Sequence, residues 1–130
     1  MSAPTPILRH YETVILIRPD SAEESQNTVR QRIGEIIGGA GGRVARWETW
    51  GKRRLAYEIR KQNKAFYLYS NYVTSQESIF EIERNLRILE PVLKFQTIRL
   101  AEEVDMEAFP FETLSAARTQ LYLSPEDAAA

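Results

Sequence analysis

Along residues 9–100, the spacing of hydrophobic residues switches between the pattern of β-strands and that of amphipathic helices. This order of patterns limits the possible folds more than any other feature of the sequence. Four segments show the two-residue period or the unbroken apolar runs that are typical of strands, and two show the period of amphipathic helices. In chain order the pattern predicts strand, helix, strand, strand, helix, strand, which is the order of the split βαβ, ferredoxin-like fold. We therefore predict an α+β domain with a four-stranded antiparallel sheet. Right-handed crossovers would place both helices on one face of that sheet.

The first strand and the glycine-rich stretch after the first helix define the centre of this prediction. Residues 14–17 are apolar without interruption, which is typical of a central strand buried on both faces. Four glycines occur within residues 38–42. Phosphate-binding loops precede a helix and use its N-terminal amides. Because this stretch follows a helix, we interpret it as a left-handed cap and turn instead.

The middle of the chain predicts a long β-hairpin. A strand over residues 43–60 changes its apolar phase near Trp50 and Gly51, which indicates a β-bulge. The polar residues 61–64 are expected to form the turn. Residues 65–73 are expected to return as the third strand.

Proline content and charge divide the chain into three expected regions. Residues 1–8 suggest a flexible lead, residues 9–100 the folded domain, and residues 101–130 an acidic, partly aromatic tail. Residues 1–100 hold 16 Lys and Arg against 11 Asp and Glu, whereas residues 101–130 hold one Arg against seven acids. The net charge of −1 therefore combines a basic body of +5 with a tail of −6.

Aromatic residues lie in two places where either the fold or a partner can use them. The tail contains Phe109 and Phe111, which we expect to dock on a partner or on the domain. The third strand contains Phe66, Tyr67 and Tyr69, which suit sheet packing or stacking on RNA bases, although the Gly-Phe-Gly-Phe pattern of RNA-recognition motifs is missing. Such residues are also common in protein interfaces. The partner-interface candidates are therefore Tyr67, Tyr69, Phe109 and Phe111.

Several function classes lack the residues that they require. The chain has no cysteine, which excludes disulfides and thiolate metal sites, and its single histidine, His10, excludes a His-rich metal cluster. No apolar run approaches the roughly 20 residues of a membrane helix. An acylphosphatase-type enzyme would need a phosphate-binding loop where Pro19 and Asp20 instead lead into a helix, and no catalytic pairing of side chains is evident. From these residues we therefore expect no enzyme, no thiolate or His-rich metal site and no membrane partner.

Residues 51–61 carry the pattern that best suits binding of a polyanion. Lys52, Arg53 and Arg54 directly follow Gly51, at the start of a run with strand alternation. Arginine supplies planar forks for phosphate oxygens, and lysine supplies a point charge. Adjacent cations are also common on ordinary solvated surfaces, so charge alone leaves both interpretations open.

The same run and its neighbours resemble bacterial-type small-subunit ribosomal protein six. Supporting residues are His10, Tyr11 and Glu12 at the head of the first strand, and the aromatic third strand. The most specific run is Gly51, Lys52, Arg53, Arg54, Leu55, Ala56, Tyr57, Glu58 and Ile59. The resemblance covers residues 9–100. One departure is Ala65, two residues before Tyr67, where the family usually has glycine.

The resemblance implies a structural constituent of the small ribosomal subunit that has no catalytic activity, no metal, no cofactor and no small-molecule substrate. It implies binding to the central domain of the small-subunit ribosomal RNA together with ribosomal protein eighteen, in support of platform assembly. The RNA-contact candidates that match by position are, first, Lys52, Arg53 and Arg54 and, second, Arg9, His10 and Tyr11. Charge alone adds Lys61 and Lys64.

Location and two other functions stay open from the sequence. The ribosome would be the cytoplasmic ribosome of a bacterium or an organellar, mitochondrial one. A chain of this fold can also be a ligand-binding regulatory module, or a general single-strand RNA binder that uses Phe66, Tyr67 or Tyr69.

Overall fold

A computed structural model describes residues 7–20 and 22–117. Its elements are β1 (Leu8–Ile17), α1 (Ala22–Gly39), β2 (Arg43–Ile59), β3 (Gln62–Ser75), α2 (Gln76–Ile88), β4 (Val92–Ala101) and α3 (Phe111–Ala116). The four strands form one antiparallel sheet in the order β2-β3-β1-β4, and α1 and α2 share a core with one of its faces. The predicted α+β, ferredoxin-like fold is confirmed.

The central strand β1 is fully buried on one face only. It pairs with β3 on one side and with β4 on the other. Ile15 and Ile17 are completely buried under the helices, whereas Val14 and Leu16 on the opposite side are half-buried. The prediction of burial on both faces is therefore wrong for the second face. We call this second face, which carries no long helix, the open face.

The main core lies between the sheet and the two long helices. Ile33 of α1 and Ile82 of α2 are fully buried in it. Tyr72 of β3 lies in the same cluster, and its hydroxyl forms a 2.7 Å hydrogen bond with Thr13, which lies 3.0 Å from the hydroxyl of Thr97. Burial disfavours the phenolate and raises the pKa of Tyr72 to about 12.

The hairpin of β2 and β3 contains the predicted bulge but a different turn. The β2–β3 register shifts at Gly51, whose φ is +78°, so the bulge is confirmed. Arg60 and Lys61 form the turn with φ of 49° and 65°, and β3 begins at Gln62. The predicted turn at residues 61–64 is therefore wrong. The left-handed backbone falls on two cations, whereas Gly or Asn is the usual signal for such a turn.

Residues 102–117, which we call the C-terminal segment, fold back onto the open face. Phe111 of α3 is only 6% exposed and packs with Val73 of β3. The amide of Val104 donates to the carbonyl of Leu8 at 2.8 Å. Of the two places expected for the tail aromatics, a partner or the domain, the structure shows the domain.

The sheet reaches slightly beyond the expected domain of residues 9–100. β1 begins at Leu8 and β4 ends at Ala101. Residues 1–6 of the expected lead and residues 118–130 of the expected tail lie outside the described residues.

Candidate nucleic-acid interface

The β2–β3 hairpin continues past the end of β1 and carries a dense set of cations. β1 pairs with β3 only as far as Phe66, whereas β2 and β3 pair as far as Ile59 and Gln62. We call residues 52–64 the hairpin arm. Its charged residues give a net charge of +5, from six cations and one acid: Lys52, Arg53, Arg54, Arg60, Lys61, Lys64 and Glu58. The structure therefore gathers five of the eight RNA-contact candidates on this one projection.

The three adjacent cations of the arm lie on both of its faces. Lys52 is paired with Phe66, Arg53 with Ala65, and Arg54 with Lys64. Because side chains alternate along a strand, Arg53 points to the open-face side while Lys52 and Arg54 point to the other side. The triplet can therefore contact phosphates on two sides of the arm.

Two features of the arm favour a bound anion. Arg54 lies directly opposite Lys64, and like charges in that position destabilise a sheet. The Nε atom of Arg53 is buried and has no hydrogen-bond partner among the described residues. An unsatisfied buried donor costs about 1–3 kcal/mol. A phosphate oxygen would supply the hydrogen bond that the Nε atom of Arg53 lacks among the described residues.

The candidates on the first strand lie at the other end of the sheet. His10 is paired with Val73, whereas Lys52 is paired with Phe66, seven residues earlier on β3. At about 3.3 Å per residue, roughly 23 Å separate the two groups along the strands. The structure does not bring Arg9, His10 and Tyr11 together with the arm.

Those three residues make contacts within the domain. Arg9 donates through Nε to the carbonyl of Glu102 at 3.1 Å. The Nε2 atom of His10 lies 2.6 Å from Oδ1 of Asn71, and Tyr11 is only 5% exposed. Their positions are therefore explained by the fold itself.

The aromatic residues of β3 differ in how much of each ring is accessible. Tyr69 is 2% exposed, donates its hydroxyl to Glu12 at 2.6 Å and stacks on Trp50 with ring centroids 5.0 Å apart. Phe66 packs against the main core. Tyr67 is half-buried on the open face, with its ring centroid 6.5 Å from that of Trp50. Base stacking by Phe66 or Tyr69 would therefore require rearrangement of the sheet.

The tail candidates Phe109 and Phe111 also make contacts within the domain. Their ring centroids are 4.6 Å apart, and Phe109 lies edge-on to His10 at 4.8 Å. Phe111 is buried. A partner interface can use the outer surface of this cluster but not the ring of Phe111.

Lys94 of β4 was not among the candidates, but it lies beside the arm. Its Nζ donates to the hydroxyl of Tyr57 at 2.9 Å, and this hydrogen bond raises the pKa of Lys94. Tyr57 is 63% exposed, so it does not belong to the core. The two residues are 37 positions apart, and no sequence pattern relates them.

The described part of the chain contains neither a metal-binding cluster nor a helix that could span a membrane. Across residues 7–20 and 22–117, no group of three or more His, Asp or Glu side chains is arranged to hold a metal ion. Within those same residues, no helix is both long and apolar enough to cross a membrane.

Comparison with known proteins identifies one family. A profile of ribosomal protein S6 matches residues 10–99. Small ribosomal subunit protein bS6 of Syntrophobacter fumaroxidans is 37% identical over 100 residues, which are 77% of this chain and 68% of that protein. The bS6 protein of Pelobacter propionicus is 32% identical over 125 residues, which are 92% of this chain and 97% of that protein.

Solved structures show the same fold. The crystal structure of 30S ribosomal protein S6 from Thermotoga maritima has a TM-score of 0.63 and 29% identity, covering 71% of this chain and 87% of that one. The C-terminal domain of MgtC from Mycobacterium tuberculosis has a TM-score of 0.53 at 10% identity, covering 80% of this chain and 98% of that one. At that identity, the second likeness concerns the fold alone.

Proposed function

The chain belongs to the ribosomal protein S6 family, and from this premise we propose that it binds the central domain of the small-subunit ribosomal RNA together with ribosomal protein eighteen. Members of this family are structural and non-enzymatic proteins of the small ribosomal subunit, so the acylphosphatase-type alternative is abandoned. The relatives are bacterial, which assigns the chain to the cytoplasmic ribosome of a bacterium rather than to an organelle.

The hairpin arm is the observation that supports RNA binding most strongly. It carries a net charge of +5 within 13 residues and projects beyond β1. Cations that neutralise phosphates release counterions from RNA, which makes the affinity depend on salt. Such contacts position a protein on RNA without reading its sequence. In this proposal, the main contacts are Lys52, Arg53, Arg54, Lys61 and Lys64.

The uncovered part of the open face is our proposed site for ribosomal protein eighteen. The C-terminal segment occupies one end of this face, near Val73. Toward the other end, Val14 and Tyr67 are half-buried, and Ile98 is 45% exposed. A protein partner that covered these side chains would bury apolar surface, which favours association.

The RNA proposal is tested with two triple variants that lose the same charge. One variant changes Lys52, Arg53 and Arg54 to Gln in the arm, and the control changes Arg32, Arg84 and Arg99 to Gln on exposed sites elsewhere. For the arm variant we expect roughly 100-fold weaker binding to the RNA central domain and a salt slope lower by about 2. The control should change affinity less than about threefold.

Both variants must first show a thermal unfolding midpoint that is no lower than that of the unmodified chain. Equal losses of RNA affinity in the two variants would mean that the arm has no special role and only net charge matters.

The partner proposal is tested with one substitution on each side of the sheet. Ile98→Asp adds a charge to the open face, and Phe80→Asp is the matched control, because Phe80 is 64% exposed on α2. We expect Ile98→Asp to weaken binding to purified ribosomal protein eighteen by at least about tenfold, with little change in the control. Stronger loss in the control would place the partner on the helical side.

A further inference from the structure

The only sulfur atom among the described residues belongs to Met106 of the C-terminal segment. The chain has no cysteine and two methionines, and the other one, Met1, lies outside the described residues. Met106 is half-buried and packs against the small apolar cluster of Ala45, Val73 and Phe111, which joins the segment to the open face. Oxidants convert methionine to its sulfoxide, and reductases reverse this reaction.

A cavity that is open to solvent lies beside this methionine. Its volume is about 350 Å³, and its lining includes Met106, Phe109 and Phe111 of the segment and Arg43 of β2. A water molecule takes up roughly 30 Å³ in the liquid, so an oxidant of similar size, such as hydrogen peroxide, can enter. Met106 therefore combines a place in an apolar contact with a path for a small polar reagent.

The C-terminal segment depends on contacts with the sheet for its position. α3 has six residues, and its N-cap, Pro110, makes no side-chain capping hydrogen bond. A helix of this length is not stable in water without tertiary contacts. The cluster around Phe111 supplies the apolar part of those contacts. Elements with few buried apolar contacts open at a low cost in free energy, so a small change in this cluster affects the whole segment.

We propose that Met106 is a site of reversible oxidation and that its sulfoxide loosens the C-terminal segment from the open face. The sulfur lone pair attacks one oxygen of hydrogen peroxide, an S–O bond forms, and the O–O bond breaks. The other oxygen leaves as hydroxide and takes up the remaining proton to give water. Sulfur loses two electrons in this step, and the peroxide gains them.

The sulfoxide disfavours the docked segment because it places a polar S–O group against apolar side chains. A hydrogen-bond donor is present in the cavity, since the guanidinium of Arg43 lies 4.5 Å from the ring centroid of Phe111. A turn of Arg43 toward the new oxygen would exchange its contact with the ring for a hydrogen bond. The packing around Phe111 therefore changes in both cases.

The first part of the test measures whether the oxidant reaches the sulfur. The full chain is treated with hydrogen peroxide, and peptide mass spectrometry distinguishes Met106 from Met1. In the folded chain we expect Met106 to be oxidised at a rate within about tenfold of its rate in the chain unfolded by urea, and methionine sulfoxide reductases to restore the thioether. A rate that is slower than this would overturn the proposal.

The second part measures whether the segment loosens, by amide hydrogen exchange. The amide of Val104 donates to the carbonyl of Leu8 at 2.8 Å, and that of Leu114 donates to the carbonyl of Pro110 at 3.0 Å. After oxidation we expect exchange about tenfold faster at these two amides, and no change at Ile15 in the main core. Unchanged exchange at both amides would overturn the proposal.

Two variants separate the sulfoxide from other effects of the oxidant. Met106→Leu keeps the volume and the apolar character but has no sulfur, so after peroxide treatment it should exchange like the untreated chain. Met106→Gln places a polar group at the same position, so without any oxidant it should exchange like the oxidised chain. Faster exchange in peroxide-treated Met106→Leu would assign the effect to another residue and overturn the proposal. No readout involves RNA, so the result is independent of the proposed function.

Discussion

The hairpin arm and the C-terminal segment lie at opposite ends of one sheet and carry opposite charges. The arm has a net charge of +5, and the segment has five acids and no cation, a net charge of −5. The acids Glu102, Glu103, Asp105, Glu107 and Glu112 are all exposed. The segment nevertheless buries Phe111, whereas every charged residue of the arm is exposed or half-buried.

The difference shows that net charges of equal magnitude can have two different origins. In the segment, apolar residues dock on the sheet and the acids occupy the solvent side, so the charge accompanies a structural element. In the arm, the cations have no comparable apolar docking role, and Arg54 lies opposite another cation, Lys64. We therefore propose that a bound polyanion offsets the charge of the arm, whereas the segment has a structural reason for its position. Four changes test this contrast, in order of decreasing effect.

The largest effect is expected from removing the ion pair beneath the C-terminal segment. Arg46 and Glu48 are 2.8 Å apart with side chains 9% and 6% exposed, and Arg46 also donates to the carbonyl of Leu114. Arg46→Ala removes the guanidinium that neutralises the buried carboxylate of Glu48 and should lower the free energy of unfolding by about 3–5 kcal/mol in urea titrations.

The matched control is Arg99→Ala, which breaks an exposed pair with Glu102. It should cost no more than about 0.5 kcal/mol. Similar values for the two variants would show that the segment is not fixed by this buried pair.

The second largest effect is expected from removing the buried ring of Phe111, which holds the C-terminal segment on the sheet. Phe111→Ala should lower the free energy of unfolding by about 2–4 kcal/mol, because a buried ring is lost, while RNA affinity stays unchanged. Phe80→Ala removes the same atoms from a side chain that is 64% exposed and should cost less than about 1 kcal/mol. A fall in RNA affinity for Phe111→Ala would break the contrast, because the segment would then contribute to binding.

Alkaline pH should lower the stability of the main core, which supports both the hairpin arm and the C-terminal segment. Burial raises the pKa of Tyr72 from 10.0 to about 12, so the folded chain holds this proton more tightly than the unfolded chain. The protonated hydroxyl of Tyr72 therefore contributes about 2–3 kcal/mol to the free energy of unfolding. This contribution is complete below pH 10 and is lost as the pH rises through 12.

Urea titrations between pH 9 and pH 12 measure this loss directly. Tyr72→Phe should cost about 1 kcal/mol at pH 7, because Thr13 loses a hydrogen-bond partner, but should show a smaller alkaline loss. The same alkaline loss in Tyr72→Phe would assign it to other tyrosines.

The smallest effect is expected from neutralising the segment. Glu103→Gln with Glu107→Gln should change RNA affinity less than about twofold at 0.15 M salt, because the Debye length of about 8 Å is far shorter than the sheet. At 0.01 M salt, where the Debye length is about 30 Å, the affinity should rise more clearly. A large rise at 0.15 M would place the segment next to the RNA.

The element order and the bulge at Gly51 were predictable because they depend on short-range patterns. The two hydrophobic periods identified four strands and two helices, and the phase change near Trp50 located the bulge. The turn at Arg60 and Lys61 was not predictable, because cations in left-handed backbone give no sequence signal.

The candidate site was predictable only where its residues are neighbours in the chain. The arm cations are adjacent, so the run from Lys52 to Arg54 indicated them together. Arg9 is distant from the arm because antiparallel pairing places the head of β1 at the far end of the sheet. Lys94 reaches Tyr57 and the arm through the tertiary fold, which no local pattern describes.

We propose that the arm faces the RNA and that the acidic segment faces away from it. The chain has no cysteine, so a single cysteine can carry an iron chelate that cleaves nearby RNA through hydroxyl radicals. Suitable exposed sites are Asn63→Cys in the arm and Glu103→Cys in the segment. In complexes with the RNA central domain, we predict strong localised cleavage from position 63 and little from position 103. Equal or stronger cleavage from position 103 would contradict the account.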